Sequence, residues 1–202
     1  SAFKPLVYAA ALEQGVSATT VLKDTPLALP SGTRKLWRPT NFRGEYRGSL
    51  PLAEALVHSS NVAAVRLLRQ TGLPPVVRLS GRLGITAPLQ PDLTLALGAS
   101  PVSVLELTAA YTAFANRGLF HKPVGITRVQ DRDGRVTPWP QSPAERVLSA
   151  RTADWLHAVM AQVVQRGTGT NARGVRGASG KTGTTDNNID AWFVGSAPGL
   201  TT

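Results

Sequence analysis

Gly180 to Thr185 reads GKTGTT, and Ala191 to Gly195 reads AWFVG. Short runs rich in Thr, aromatic and β-branched residues are typical of strands. We therefore predict two adjacent strands at the edge of a small sheet. The Gly-rich stretch 167–180 that precedes them indicates a loop.

Helices are predicted to make up most of the remaining chain, and a length of 202 residues favours one domain. Apolar periodicity, caps and Gly stops predict helices at residues 1–13, 52–57, 62–70, 74–83, 103–115 and from 149 onward. The first of these is apolar on nearly every side, which predicts a buried helix. Residues 16–48 indicate an irregular excursion, and residues 124–136 a small hairpin. The expected fold class is α/β.

The chain is strongly basic, with 22 Lys and Arg against 12 Asp and Glu and a net charge of +10. Such a balance suits either nucleic acid or an anionic cell-envelope surface. Because the basic residues are scattered and no binding signature accompanies them, we expect no nucleic acid partner. The lack of Cys excludes thiol catalysis and Cys-ligated zinc. No His-Glu-x-x-His pattern occurs either, and we expect no metal or cofactor.

Ser1 and Lys4 are three residues apart, a spacing that puts two helical residues on one face. A neutral Lys amine can remove the proton of a Ser hydroxyl and make it a nucleophile. Burial and a second cation, Lys181, would both favour the neutral amine. The alternative is a Ser that caps a helix, followed by a surface Lys. The pair therefore indicates nucleophilic catalysis only when further motifs support it.

Ser59 and Asn61 lie between two predicted helices. The Ser59 hydroxyl can relay a proton to a leaving amine, and the Asn61 amide can hold either a substrate carbonyl or Lys4. Ser and Asn are also common in turns and helix caps. This motif has little specificity by itself.

The predicted edge strand carries Lys181, Thr182, Gly183 and Thr184. Gly183 would let a substrate backbone approach closely, and the Lys ammonium with the Thr hydroxyls can hold a terminal carboxylate. An ordinary edge strand with a solvated Lys is the alternative. A phosphate-binding loop is rejected, because the required Gly five residues before Gly180 is replaced by Val175.

The three motifs, in this order, resemble those of the penicillin-binding proteins and serine β-lactamases. The sequences around them are similar to the transpeptidase domain of class A, bifunctional penicillin-binding proteins. The likeness is carried by SAFKP at 1–5, SSNVAAVR at 59–66, LELTAAY at 105–111, GKTGTT at 180–185 and DAWFVG at 190–195.

This resemblance implies a serine β-lactamase-like fold in which residues 1–202 form a partial transpeptidase domain, truncated at both ends. The implied activity is cross-linking of peptidoglycan stem peptides through an acyl-enzyme on Ser1, which β-lactams would also acylate. By the resemblance, the backbone amides of Thr184 and Ser1 form an oxyanion hole. An upstream glycosyltransferase domain and membrane anchor are also implied, at the outer face of the bacterial cytoplasmic membrane. We expect the isolated segment to be poorly active.

Three other functions are open at this stage. A D,D-carboxypeptidase or a β-lactamase would use the same Ser but transfer the acyl group to water, and a β-lactam sensor would be acylated without turnover. The class A sequence around 105–116 argues against a sensor. Fast deacylation needs a base for water, and we find no Glu-x-x-Leu-Asn run that would supply one. Glu54 and Glu106 fall in predicted helices, so we expect a long-lived acyl-enzyme.

Overall fold

The computed structural model describes residues 1–30, 35–184 and 191–202. Within these ranges the α-helices are α1 Lys4–Glu13, α2 Leu52–Val57, α3 Asn61–Thr71, α4 Leu73–Arg82, α5 Val104–Ala115 and α6 Ala150–Arg166. The strands are β1 Val21–Asp24, β2 Leu29–Pro30, β3 Leu36–Trp37, β4 Gly48–Pro51, β5 Leu119–Phe120, β6 Arg128–Gln130, β7 Val136–Pro138, β8 Glu145–Arg146, β9 Ser179–Thr184, β10 Ala191–Ala197 and β11 Leu200–Thr201. Short 3₁₀ helices span Phe42–Gly44, Leu93–Leu97 and Thr170–Ala172.

Helix starts follow the capping residues in the sequence. The Ser103 hydroxyl accepts from the Glu106 amide while the Glu106 carboxylate accepts from the Ser103 amide, a reciprocal capping box that opens α5. Ser149 accepts from the Thr152 amide at the start of α6, and Ser60 does the same for Ala63 in α3. The predicted helices at 103–115 and from 149 are therefore confirmed.

Helix α1 lies at the centre of the molecule. Its residues from Lys4 to Ala11 are buried, and it packs against α3, α4 and α6, as its uniformly apolar sequence predicted. The helix begins later than predicted, because Ser1 lies in the turn before it and accepts a hydrogen bond from the Lys4 amide at 3.1 Å.

The main sheet is antiparallel, with the strand order β11-β10-β9. Lys181 lies opposite Val194 and Gly183 opposite Trp192, so the predicted pair of adjacent strands is confirmed, with β9 at the edge of the described sheet. Helix α6 packs on β9 and α5 packs on β10. The predicted strand residue Thr185 and the motif residue Asp190 lie outside the described residues.

The excursion predicted at 16–48 is more ordered than expected. Strand β1 pairs antiparallel with β4, and β2 pairs with β3. The prediction failed because β1 has only four residues, and its two buried positions are an apolar Leu22 and a charged Asp24. The small hairpin was predicted correctly and is formed by β6 and β7. In the described part of the chain, no helix combines the length and hydrophobicity needed to cross a membrane.

Candidate active site

Lys4 is completely buried at the start of α1, and its ammonium group faces the turn between α2 and α3. The Nζ atom donates to the carbonyl oxygen of Ser59 at 2.7 Å, to Oδ1 of Asn61 at 2.7 Å and to Oγ of Ser59 at 3.1 Å. The Asn61 amide oxygen thus holds Lys4, one of the two roles predicted for it, and its predicted contact with a substrate carbonyl stays a prediction. Burial, and then the nearby charge of Lys181, set the pKa of Lys4 well below its ordinary value, as predicted.

In the neutral form of Lys4, these contacts determine where the lone pair of the amine points. The two carbonyl oxygens can only accept, so they occupy both N–H groups of a neutral amine. The lone pair is then left for the third direction, towards hydroxyl groups such as that of Ser59. The arrangement suits an amine that takes and returns protons.

Ser59 adopts a left-handed backbone conformation with φ of 55°. This conformation is uncommon for a residue with a side chain, and it is favoured here by the turn that joins α2 to α3. As a result, the carbonyl and the hydroxyl of one residue both contact the Lys4 amine. Asn61 is the first residue of α3, just after the capping residue Ser60, rather than part of a loop.

Ser1 is half-buried in the turn before α1, at the mouth of the same region. Its terminal ammonium group donates to the carbonyl oxygen of Leu97 at 2.7 Å. No hydrogen bond joins Ser1 Oγ to Lys4 Nζ, because the amine is held by Ser59 and Asn61 and Ser1 precedes the regular helix. The structure brings Ser1 and Lys4 together without the direct contact that helical spacing suggested.

Lys181 is also fully buried, in contrast to a solvated edge-strand Lys. Its Nζ donates to the carbonyl oxygen of Thr182 at 2.9 Å and to the Thr182 hydroxyl at 3.3 Å. Burial lowers the pKa of Lys181 to about 7. Thr182 Oγ1 lies 2.6 Å from Thr168 Oγ1, so the polar contacts of Lys181 continue through Thr182 to Thr168. Sequence reasoning missed Thr168 because it lies in a Gly-rich loop with no motif of its own.

Gly183 permits a close approach between β9 and the turn before α1. A Cβ atom on Gly183 would lie 3.2 Å from Ala2 Cβ and 3.4 Å from the Ala2 nitrogen. Tyr111 of α5 fixes the same turn, since its hydroxyl donates to the Ala2 carbonyl oxygen at 2.6 Å. The glycine therefore serves the packing of the site itself. Its predicted contact with a substrate backbone stays a prediction, and so does the role of Thr184, which lines the cleft.

A cleft of about 620 Å³ unites these elements. Of the predicted site residues, Ser1, Asn61, Gly183 and Thr184 line it, while Lys4 and Lys181 are buried. Much of the remaining lining is apolar or small: Ala2, Phe3, Trp37, Leu97, Gly98, Ala99, Pro101, Val102, Val104, Leu107, Trp192 and Val194. Trp37 packs on the core and also lines the cleft. The sequence alone does not indicate that such isolated residues line a cleft, because they belong to no motif.

Among the described residues, neither His58 nor His157 forms a triad with a predicted nucleophile. His58 pairs with Glu54 at 3.4 Å, while the neighbouring Ser59 hydroxyl contacts Lys4. His157 contacts Ser179 at 3.1 Å, beside a second cavity of about 440 Å³ whose lining shares no residue with the cleft. Both observations support the Lys-based site.

The model of the family described as "Penicillin binding protein transpeptidase domain" matches residues 1–201. Penicillin-binding protein 1A of Neisseria meningitidis serogroup A is 37% identical over all of this chain, and the chain covers 27% of that protein. Penicillin-binding protein 1A of Pseudomonas aeruginosa is 29% identical over 96% of the chain and 30% of its own length. The chain thus spans about 27–30% of these relatives.

Solved structures show the same fold. The crystal structure of penicillin-binding protein 1A from Haemophilus influenzae matches 96% of this chain and 35% of its own, with a TM-score of 0.87 and 28% identity. The PonA1 protein from Mycobacterium tuberculosis, solved in complex with penicillin V, matches 100% of this chain and 57% of its own, with a TM-score of 0.85 and 26% identity. The α/β fold inferred from the motifs is confirmed.

Proposed function

We propose that this chain, which belongs to the penicillin-binding protein transpeptidase domain family, cross-links peptidoglycan stem peptides through a serine acyl-enzyme. One observation carries the proposal. A buried amine, Lys4, is held by Ser59 and Asn61, and the cleft beside it contains Ser1. This arrangement supplies a nucleophile, a base and a proton relay in one place.

In the proposed reaction, Ser1 Oγ attacks the carbonyl carbon of the D-Ala-D-Ala peptide bond and its proton passes to the neutral Lys4 amine. The tetrahedral intermediate collapses, the C–N bond breaks, and the terminal D-Ala leaves as an amine that receives the proton through Ser59. An amine of a neighbouring stem then attacks the acyl-enzyme ester. The attacking amine loses a proton to Lys4. The ester C–O bond then breaks, and Ser1 Oγ leaves with that proton.

Lys181 and the hydroxyls of Thr182 and Thr184 are proposed to bind the terminal carboxylate of the stem peptide. With a pKa near 7, Lys181 is poised so that a bound carboxylate would favour its charged form. By family resemblance, the backbone amides of Thr184 and Ser1 would stabilise the oxyanion. The Thr168 hydroxyl supports this assignment because it orients Thr182.

β-Lactams are proposed to acylate the same Ser, in line with the penicillin V complex of PonA1. A β-lactamase or D,D-carboxypeptidase is less well supported, because the acidic residues near the middle motifs are occupied. Glu54 is bound by Arg166 through two hydrogen bonds. Glu106 caps α5 and accepts from the amide and hydroxyl of Thr86. Neither carboxylate is free to activate water for deacylation.

Further partners follow from the same resemblance and are part of the proposal. They are a glycosyltransferase domain and a membrane anchor that precede this segment in the full protein, which would work at the outer face of the cytoplasmic membrane. A β-lactam sensor is the competing binding function. Turnover of a stem-peptide donor with release of D-Ala would distinguish the enzyme from the sensor.

Peptide mass spectrometry of the full-length protein after incubation with a penicillin tests the central assignment. The adduct is expected on the peptide that contains Ser1, and Ser1→Ala should abolish it. Ser149→Ala, at the N-cap of α6, is the matched control and should leave labelling unchanged. An adduct on Ser59, or on no Ser, would contradict the proposal.

A further inference from the structure

Asp24 is a buried acidic residue for which the proposed reaction has no use. It is only 1% exposed, and among the described residues no Lys, Arg or His side chain pairs with it. Its carboxylate accepts from Asn41 Nδ2 at 2.6 Å, from the Ser60 hydroxyl at 2.7 Å and from the Arg47 amide at 3.0 Å. Burying a carboxylate costs stability unless it is fully hydrogen-bonded, so these three donors define its function.

Asn41 is oriented by Asp24. A carboxylate oxygen can only accept, so the Asn41 amide must turn its NH₂ group towards it, and the same group also donates to the Glu45 carbonyl at 2.9 Å. The Asn41 oxygen therefore faces the start of α3. There it accepts from the backbone amides of Asn61 at 2.8 Å and Val62 at 3.1 Å. These amides are helix-terminal donors with no partner inside the helix.

Asn61 is oriented in turn by the residue next to Asn41. The carbonyl oxygen of Thr40 accepts from Asn61 Nδ2 at 2.8 Å, which leaves Asn61 Oδ1 facing Lys4 Nζ at 2.7 Å. If the Asn61 amide were reversed, its NH₂ group would point at an amine whose hydrogens need acceptors. Asp24 therefore sets the direction of the Asn41 amide, which binds the first turn of α3, while Thr40 and Lys4 set the direction of the Asn61 side chain.

We propose that Asp24 and Asn41 are positioning residues that hold the start of α3, so that Asn61 keeps its orientation with the amide oxygen towards Lys4. The inference rests on the proposed function, because the value of that orientation is the aiming of the Lys4 amine. The fold supplies the geometry through the pairing of β1 with β4, which puts Asp24 opposite Gly48 and beside Arg47. Neither residue lines the cleft, so they act on it through the start of α3.

Asp24→Asn in the full-length protein is the direct test. The new amide keeps its oxygen towards the Arg47 amide and presents NH₂ to Asn41, which must then reverse and turn NH₂ towards the amides of Asn61 and Val62. We expect these two amides to exchange hydrogen faster than in the parent. The second-order rate of acylation by a fluorescent penicillin should fall by roughly 10- to 100-fold, the loss typical of a misplaced catalytic group.

A swapped pair provides the rescue. In the double variant Asp24→Asn with Asn41→Asp, the amide at position 24 donates to the carboxylate at position 41. That carboxylate again offers an oxygen to the start of α3, and the net charge is unchanged. The double variant should recover most of the acylation rate that each single variant loses. Should Asp24→Asn fail to fold, Asn41→Ser loses the amide orientation but keeps a short polar side chain at the half-buried position. It should show the same slow acylation.

Ser149→Ala is the control for a simple loss of stability. It removes the cap that accepts from the Thr152 amide at 3.1 Å, far along the chain from the motif. Its melting temperature should fall while its acylation rate stays parental. Parental hydrogen exchange at Asn61 and Val62 in Asp24→Asn would overturn the inference, and so would an equal acylation loss in Ser149→Ala. An unacylated parent would instead refute the proposed function, and the exchange rates would still decide whether Asp24 orients Asn41.

Discussion

Asn61→Asp changes one atom of the contact that holds Lys4. The amide oxygen that accepts from Lys4 Nζ at 2.7 Å becomes part of a carboxylate of almost the same shape. A negative charge at this distance stabilises the ammonium form and raises the pKa of Lys4. Because the proposed base is the neutral amine, acylation on the acidic limb of its pH profile should slow.

The size of the effect follows from hydrogen-bond energies. A bond to a charged group contributes about 1.5–3 kcal/mol, against about 1 kcal/mol for a neutral one. The difference is about 0.5–2 kcal/mol, which spans the roughly 1.4 kcal/mol that corresponds to one pKa unit. We therefore expect the acidic limb to move up by about one pH unit, with roughly tenfold slower acylation at each pH along it. At high pH the two proteins should converge.

Overall stability should change little. The new carboxylate loses the hydrogen bond that Asn61 Nδ2 donates to Thr40, but it sits in the first turn of α3, where the helix dipole favours a negative charge. The assay is the acylation rate with a fluorescent penicillin between pH 5 and pH 10 in the full-length protein, with melting temperature measured in parallel. Asn171→Asp adds the same charge to the exposed 3₁₀ helix Thr170–Ala172 and is the control.

An unchanged acidic limb in Asn61→Asp would show that Lys4 is not the titrating base. A loss of rate that persists at high pH would also refute the reasoning, because it would mean that Asn61 acts by shape and not through the charge state of Lys4. A shift of the same size in Asn171→Asp would assign the effect to general electrostatics.

Three further predictions concern β9 and the acidic residues. Lys181 has a pKa of about 7 in the folded state and 10.5 in the unfolded state. Between these pH values the unfolded state binds more protons, so the free energy of unfolding should rise with pH from about 7 to 10.5. Lys181→Met should reduce this rise in urea denaturation, and it should slow acylation by carboxylate-bearing β-lactams at pH 7 much more than it lowers the melting temperature. Gly183→Ala places a Cβ 3.2 Å from Ala2 Cβ and should destabilise the fold by about 1–3 kcal/mol in the same denaturation assay, whereas Gly174→Ala, which meets open space, should not. Glu54→Gln should leave the lifetime of the penicilloyl adduct unchanged in intact-mass measurements, and a longer-lived adduct would show that Glu54 activates water and would favour a β-lactamase.

The sequence predicted those parts of the fold that local chemistry determines. The capping box at Ser103 and Glu106 defined the start of α5, and the composition of 180–185 and 191–195 indicated strands. The contribution of Lys181 to the lowered pKa of Lys4 was also predicted, since the resemblance carried by the three motifs implies that both amines belong to one site.

The remainder depends on contacts between distant segments. The pairing of β1 with β4 joins residues more than 20 positions apart, and its buried Asp24 interrupts the alternation that would have revealed a strand. The acceptors of the Lys4 amine come from residues 55 to 57 positions away, and no spacing rule indicates which oxygens they present. Asn41 and Thr168 belong to loops whose purpose appears only when their partners are in place.

The central position of α1 also bears on the order of folding. A ten-residue helix is too short to be stable alone, and one without a polar face gains its stability only when neighbours cover it on several sides. α1 should therefore form stably only late in folding, after α3, α4 and α6 have assembled around it. Because Lys4 has its acceptors only in that final arrangement, partly folded chains should not react with penicillin. Labelling followed during refolding would then report the last step of assembly rather than the first collapse.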